Sequence, residues 1–158
     1  VVNSFSKYFC MTGWRLGWLI VPPDLLRAVE SLAQNLFISP PTLSQLAAVA
    51  AFDCQEGLQA NIERYAENRR LLLQEVPKAG VTDLAPSDGA CYIYADVSDR
   101  TDDSVEFCAR ILKETGVAIT PGLDFDAVRG NRTVRFSFAG TTQEVSAAAE
   151  ALIAWSKG

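Results

Sequence analysis

The chain has 158 residues, of which 49% are hydrophobic and 21% are charged, and its formal net charge is −5. That size suits one ordinary domain or parts of two neighbouring ones, and the hydrophobic share excludes a disordered chain. The acidic balance without a run of Lys or Arg excludes nucleic acid as a partner, and no apolar stretch reaches the ~20 residues that a membrane span requires.

The first third of the chain predicts the order strand, loop, strand, helix, helix. A β-prone run at 1–5 leads into a loop at 6–13, and a strand at 14–21 ends at two prolines. A helix over about 24–36 and a very apolar helix over 42–52 follow, and only a buried position would accommodate the second one. A strand end that runs into a functional loop is an unusual N-terminus, so we expect a fragment.

The rest of the chain predicts a long amphipathic helix over 58–75 and then an α+β pattern. The pattern contains strands at 81–84, 90–97, 117–120 and 133–138, and helices at 104–115 and 143–155. Helices of this kind cover one face of a small sheet. We place a domain change between Cys54 and Leu58, which gives one domain at 1–54 and a second at 55–158.

The cysteines and the lack of histidine limit the kinds of catalytic and metal sites that this chain can form. There is no histidine, so Ser-His-Asp and Cys-His arrangements and most zinc sites cannot be assembled from this chain. No cysteine belongs to a CxxC pair, which favours scattered buried thiols of a cytoplasmic protein over a metal site or a disulfide framework. We also expect the three tryptophans in the core. The residues concerned are Cys10, Cys54, Cys91, Cys108, Trp14, Trp18 and Trp155.

Residues 4–18 place a lysine where it can react with an aldehyde cofactor that bears a phosphate. Lys7 lies in an apolar, hydroxyl-rich loop, and Arg15 follows beyond a glycine turn that can bring the two back together. A lysine forms a Schiff base only as the neutral amine, which apolar surroundings and a nearby cation both favour. The planar fork of Arg15 can clamp a phosphate, and Ser4 and Ser6 add hydroxyl donors.

This segment, Ser-x-Ser-Lys followed by Met-Thr-Gly-Trp-Arg-Leu-Gly-Trp, resembles the cofactor-lysine signature of the class I and II aminotransferases, in particular their prokaryotic aspartate-aminotransferase-like branch. The resemblance implies that Lys7 binds pyridoxal 5′-phosphate covalently and that Ser4 and Arg15 hold its phosphate, with Ser6 as a further candidate. A lone lysine would most often be a solvated surface charge, and it is the whole segment that favours the catalytic role.

The same resemblance implies an α/β fold, namely the C-terminal part of a fold-type I pyridoxal-phosphate-dependent transferase. In that arrangement a remnant of the large α/β domain is followed by an α+β small domain. The missing N-terminal part would supply the loop under the phosphate, the ring that stacks on the cofactor and the acidic partner of its pyridine nitrogen. The fragment alone is therefore expected to be inactive.

Arg135 interrupts an alternating apolar run at 134–138, so its side chain either faces solvent or is held inward for a carboxylate. An isolated strand arginine most often faces solvent. The run, however, is similar to the late Arg-x-Ser-x-Ala element of the family, whose arginine binds the α-carboxylate of the substrate, and we assign that role to Arg135. Residues 87–92 and 121–125 also resemble family segments, without a catalytic assignment.

The full-length protein is thus expected to transfer an amino group from an amino acid to a 2-oxo acid, as a homodimer and without a metal. One alternative is a lyase of the same fold, and another is an inert folded fragment or interaction domain. A third is a penicillin-recognising serine enzyme, because Ser4 and Lys7 also satisfy Ser-x-x-Lys. Gly13 disrupts the helix that such enzymes need after the serine, and 113–116 has one residue too many for their Lys-Thr-Gly strand.

Overall fold

A computed structural model describes residues 1–158, which form two compact units, Val1–Ile62 and Glu63–Gly158. Five α-helices and two small antiparallel sheets confirm the predicted mixture of helices and strands. None of the helices combines the length and the apolar character that crossing a bilayer requires. The domain boundary predicted after residue 54 stays a prediction.

The first unit begins with a two-stranded ladder and continues with helices. Strand β1 (Val2–Ser4) pairs antiparallel with β2 (Gly17–Leu19), so that Asn3 lies opposite Trp18. A side chain at Gly17 would place its Cβ 2.5 Å from the carbonyl oxygen of Asn3, and glycine is therefore needed for this close approach. The helices are α1 (Pro23–Leu36), α2 (Thr42–Ala51) and α3 (Gln55–Glu75), of which α3 continues into the second unit.

Strand β2 is shorter than the strand predicted over 14–21. A 3₁₀ turn occupies Thr12–Trp14, and Arg15 takes a left-handed conformation with φ 52°. A left-handed residue breaks the extended backbone, so pairing with β1 can begin only beyond it. Trp14 consequently sits in the turn with 40% of its surface exposed, and the prediction of a core position for Trp14 is wrong.

Phe5 forms the centre of a small aromatic core in the first unit. Its ring contacts those of Phe9, Trp18 and Phe52 at centroid distances of 4.7, 5.0 and 5.8 Å. Helix α2 adds Ala48 to this cluster, whereas its larger apolar side chains point away. Leu43, Leu46 and Val49 are 69%, 65% and 72% exposed, so the predicted burial of α2 is wrong for this chain.

The second unit is a four-stranded antiparallel sheet with helices on one face, as predicted. The strand order is β3-β4-β6-β5. Alternation puts Ile93 and Phe136 on the core face with the helices, while Tyr94 and Arg135, which lie opposite each other, share the other face. The elements are β3 (Asp83–Leu84), β4 (Tyr92–Asp96), α4 (Ser104–Thr115), β5 (Thr120–Pro121), β6 (Thr133–Ser137) and α5 (Thr142–Trp155).

Local capping explains why the bounds of α4 and α5 agree with the sequence pattern. The Asp103 carboxylate accepts hydrogen bonds from the backbone N–H groups of Val105 and Glu106 at the start of α4. Gly116 ends that helix in a left-handed conformation with φ 76°. Thr141 and Glu144 form a reciprocal capping box at the start of α5. Hydrogen bonds from the Thr141 backbone and side chain also lower the pKa of the Glu144 carboxyl.

Two further expectations for this part of the chain need correction. The strand predicted over 117–120 pairs only at Thr120–Pro121, because Val117 N–H is bonded to the hydroxyl of Thr115 as the chain leaves α4.

Among the four cysteines only Cys108, on the core side of α4, is buried, and burial raises the pKa of its thiol to about 11. The others lie in loops or at the sheet end, where nothing in the chain covers them fully: Cys10, Cys54 and Cys91.

Asn68 of α3 ties the helix to the segment that follows β6, and we expect its replacement to destabilise the second unit. Its side chain is fully buried, and Nδ2 donates to the carbonyl oxygens of Phe138 and Gly140 at 3.1 and 3.0 Å. Asn68→Ala leaves both carbonyls without this donor, at a cost of about 1–3 kcal/mol of unfolding free energy. Urea denaturation measures the loss of unfolding free energy. Gln74→Ala, at an exposed position on the same helix, is the control. Equal denaturation midpoints for Asn68→Ala and Gln74→Ala would contradict the stabilising role of Asn68.

Candidate functional site

The Lys7 loop connects β1 to β2 and is closed by backbone hydrogen bonds around the buried Phe5. Phe5 N–H donates to the carbonyl of Leu16 at 3.1 Å, and Met11 N–H donates back to the carbonyl of Phe5 at 3.1 Å. Cys10 N–H donates to the carbonyl of Lys7 at 3.0 Å, which makes a turn directly after the lysine. The loop is thus held from its apolar side, and the side chain of Lys7 is exposed on the other.

Two serine hydroxyls lie together at the start of this loop. Ser4 Oγ donates to Ser6 Oγ at 3.0 Å, and Ser6 N–H donates to Ser4 Oγ at 3.1 Å. Thr12 closes the other end of the loop, since its hydroxyl donates to the carbonyl of Ser6 at 2.8 Å. The loop itself therefore fixes the pair of hydroxyls. Each hydroxyl has one proton, so both can donate to an anion only when Ser4 gives up its bond to Ser6.

Arg15 lies in the turn between the loop and β2. Its left-handed backbone directs the side chain back along the turn, where Nη1 donates to the carbonyl of Thr12 at 2.9 Å. Ser44 of α2 donates to the carbonyl of Trp14 at 2.8 Å and anchors the same turn. Since that carbonyl contact uses one nitrogen of the guanidinium fork, the other N–H groups stay available to an anion.

The donor set in residues 4–18 fits a cofactor that carries a phosphate and an aldehyde. Ser4 and Ser6 offer hydroxyls, Arg15 offers a guanidinium and Lys7 an exposed primary amine, and the segment contains no carboxylate that would repel the phosphate. All four residues belong to the first unit. Their individual roles towards the cofactor stay predictions.

Arg135 lies in the second unit, on the face of β6 that points away from the core. The side chain is half-buried, and its guanidinium carbon lies 4.7 Å from the ring centre of Tyr92 and 4.1 Å from that of Phe125. Tyr94 and Asp126 line the same shallow pocket. The sequence left two orientations of this side chain open, towards solvent or inward. In the structure the guanidinium is held against aromatic rings.

Asp126 is the one carboxylate among the lining residues of that pocket, and it is already engaged. Its oxygens accept hydrogen bonds from the backbone N–H groups of Arg129 and Val128, both at 2.9 Å, and from Arg129 Nε at 3.2 Å. These bonds, above all those from the backbone, lower the pKa of the Asp126 carboxyl. Arg135 forms no ion pair with it, so the guanidinium is left to bind a carboxylate from outside the chain.

Sequence reasoning did not assign a role to Tyr92 or Phe125. Both residues stand in the segments 87–92 and 121–125 that resemble the family, yet each segment by itself looked like an ordinary turn before a strand or helix. The available signal was the period of two along β4 and β6, which puts Tyr92 diagonally across from Arg135. No such signal existed for Phe125, which comes from a loop.

The chain is similar to one protein family over nearly its whole length. The family model described as "Aminotransferase class I and II" matches residues 1–152. A valine–pyruvate aminotransferase of Mycobacterium tuberculosis is 54% identical over 98% of this chain and 40% of its own length. The aspartate/prephenate aminotransferase of Thermus thermophilus is 37% identical over 94% of this chain and 38% of its own length. The chain therefore spans about 40% of the length of these relatives.

Solved structures agree with the sequence matches. An aminotransferase from Mycobacterium tuberculosis superposes with a TM-score of 0.93 at 54% identity, over 98% of this chain and 41% of that one. An aromatic aminotransferase from Pyrococcus horikoshii superposes with a TM-score of 0.86 at 28% identity, over 99% and 42%. These superpositions confirm the predicted fold. The family match confirms the resemblance that was recognised in the Lys7 segment. This chain belongs to the class I and II aminotransferase family.

Proposed function

We propose that the chain acts as the C-terminal part of a longer pyridoxal-phosphate-dependent aminotransferase, which transfers an amino group from an amino acid to a 2-oxo acid. The observation that carries the proposal is the Lys7 loop, in which an exposed amine, a hydrogen-bonded pair of hydroxyls and an arginine with unused N–H groups occur within residues 4–18. Because one relative at 54% identity is a valine–pyruvate aminotransferase, valine with pyruvate is the first substrate pair to test.

In this proposal each residue has one task. The bound cofactor supplies an aldehyde that reacts with amines and a ring that draws electrons from the substrate α-carbon. Ser4, Ser6 and Arg15 donate hydrogen bonds to its phosphate. Lys7 would hold the cofactor through its amine, and the same amine is the group that would move the proton of the substrate α-carbon. Arg135 binds the substrate α-carboxylate.

Reduction with borohydride followed by peptide mapping tests the position of the cofactor directly. In the full-length protein loaded with pyridoxal phosphate, we expect the reduced label on the peptide that contains Lys7. The chain offers three other lysines as internal controls, Lys78, Lys113 and Lys157. A label on one of those three instead of Lys7 would overturn the assignment.

Arg15→Ala in the full-length protein should weaken retention of the cofactor more than it slows the chemical step. Loss of a charge-assisted hydrogen bond to the phosphate is expected to cost about 2–3 kcal/mol of binding free energy. Titration of the apoprotein with pyridoxal phosphate measures it. Arg27→Ala is the matched control, because Arg27 is an 83% exposed arginine of α1 in the same unit. Unchanged affinity in Arg15→Ala would remove this residue from the phosphate site.

The 158-residue chain alone should self-associate and lack turnover. Leu43, Leu46 and Val49 form an exposed apolar stripe on α2, which the rest of a longer protein and its homodimer partner would cover. The loop under the phosphate and the ring that stacks on the cofactor would come from the same missing part. Size-exclusion chromatography and a turnover assay of the isolated chain test both statements. A monodisperse monomer that turns over an amino acid would contradict them.

A further inference from the structure

We propose that Phe125 and Tyr92 are positioning residues that hold the guanidinium of Arg135 ready for the substrate carboxylate. This inference rests on the proposed function, since it concerns the arginine that the proposal assigns to carboxylate binding. The guanidinium carbon lies 4.1 Å from the ring centre of Phe125 and 4.7 Å from that of Tyr92, within the range of a cation–π contact.

Neither ring is explained by the packing of the second unit. Phe125 exposes 58% of its surface and Tyr92 exposes 37%, and neither belongs to the hydrophobic core that the helices and sheet share. A single exposed phenylalanine is common on protein surfaces, so it is the contact made by its ring that indicates a role. The contact that the structure shows for Phe125 is the one with Arg135.

Backbone hydrogen bonds and a close contact with β6 hold the loop that carries Phe125. The N–H groups of Phe125 and Asp126 both donate to the carbonyl of Gly122 at 2.9 Å, and Gly130 N–H donates to the carbonyl of Asp126 at 2.8 Å. A side chain at Gly122 would collide with the hydroxyl of Thr133 on β6, so glycine lets the loop lie directly against the strand that bears Arg135. Thr133 Oγ1 is in turn 2.6 Å from the hydroxyl of Tyr94.

Rings suit this task better than a carboxylate would. An aspartate beside Arg135 would orient the guanidinium but would also compete with the substrate for its N–H donors. An aromatic ring attracts the cation and restricts its rotamers without offering a carboxylate oxygen. The only lining carboxylate, that of Asp126, is occupied by Arg129 and by backbone N–H groups. Arg135 is thereby ordered and still unpaired before substrate arrives.

The test compares ring-removing with ring-preserving substitutions in the full-length protein. For Phe125→Leu and for Tyr92→Leu we expect kcat/KM for amino acid donors to fall about three- to tenfold, mainly through KM. Phe125→Tyr and Tyr92→Phe keep a ring face and should stay close to the unsubstituted protein. An amine that lacks the carboxylate, such as isobutylamine beside valine, should react equally well in all four variants. Val128→Ala, a 90% exposed position in the same loop, is the matched control.

A double-substitution cycle separates positioning from general damage. In an Arg135→Lys background, Phe125→Leu should produce no comparable further loss, because the planar guanidinium it orients is gone. Equal additional losses in both backgrounds would overturn the proposal, as would a loss in Phe125→Tyr as large as that in Phe125→Leu.

Carboxylate binding can also be measured without turnover, by NMR titration with propionate. Weaker propionate binding in both leucine variants than in Val128→Ala supports the positioning role, and unchanged binding overturns it. The proposed function fails on a different result, namely absence of the reduced cofactor label from Lys7. The two failures are therefore distinguishable.

Discussion

Replacing Lys7 with alanine is expected to abolish turnover in the full-length protein while leaving the fold unchanged. The substitution removes the amine that the proposed mechanism uses twice, to hold the cofactor and to move the α-proton. General acid–base catalysis alone contributes about 10²–10⁴-fold, so a loss of at least that size is expected in kcat. Steady-state assays with valine and pyruvate measure it.

The structure explains why the fold should survive this change. Lys7 is exposed, and the loop around it is held by the buried ring of Phe5 and by backbone hydrogen bonds to Met11 and Leu16. Thermal unfolding of Lys7→Ala should therefore match that of the unsubstituted protein. Lys113→Ala, on the exposed side of α4, is the matched control and should keep full activity. Near-normal turnover in Lys7→Ala would remove this residue from the mechanism.

Arg135→Ala should impair every amino acid donor to a similar extent, because all donors share the α-carboxylate that the guanidinium is proposed to bind. Loss of a charge-assisted bidentate contact is expected to cost about 2–3 kcal/mol in kcat/KM, which corresponds to about 30- to 150-fold. Kinetics with an aliphatic, an aromatic and an acidic donor measure the effect. The common dependence on the carboxylate is what distinguishes this residue from one that reads the donor side chain.

Arg132→Ala provides the control for Arg135→Ala. Arg132 lies just before β6 and pairs with Asp102 at 2.7 Å on the surface, and it should tolerate replacement with little effect on any donor. The sequence interpretation of Arg129 and Arg132 as surface charges agrees with their exposed side chains, which pair with Asp126 and Asp102 respectively. A loss in Arg135→Ala confined to the acidic donor would mean that Arg135 binds a side-chain carboxylate.

Much of the helical architecture was predictable because its signals are local. Asp103, Gly116 and Thr141 cap helices through contacts with residues only a few positions away, and such contacts do not depend on the rest of the fold. The Lys7 segment was recognisable for a similar reason. Its hydroxyls, amine and guanidinium lie within one contiguous stretch. The structure adds the hydrogen bond between the Ser4 and Ser6 hydroxyls and the one from Arg15 to the carbonyl of Thr12.

Strand limits and burial depended on contacts that a periodic pattern does not contain. Strand β2 is short because Arg15 turns left-handed, and an alternating run of residues does not reveal a backbone angle of that kind. Helix α2 is apolar enough for a buried position, yet Leu43 and Val49 are exposed because this chain provides nothing to cover them. The apolar composition of α2 indicates that its surface needs to be covered. It does not indicate which part of the protein covers it.

The family, the segment that carries Lys7 and the limits of α4 and α5 could be recognised from the sequence, since each depends on neighbouring residues. The start of α3 could not, because this helix begins at Gln55 and not at the predicted residue 58. The surroundings of Arg135, by contrast, became visible only in the folded chain. Sheet register places Tyr94 opposite it and Tyr92 on the same face, and the close contact of Gly122 with β6 carries Phe125 to the guanidinium. Arg135 and these neighbours come from three separate segments, and a contact between distant segments exists only after the chain has folded.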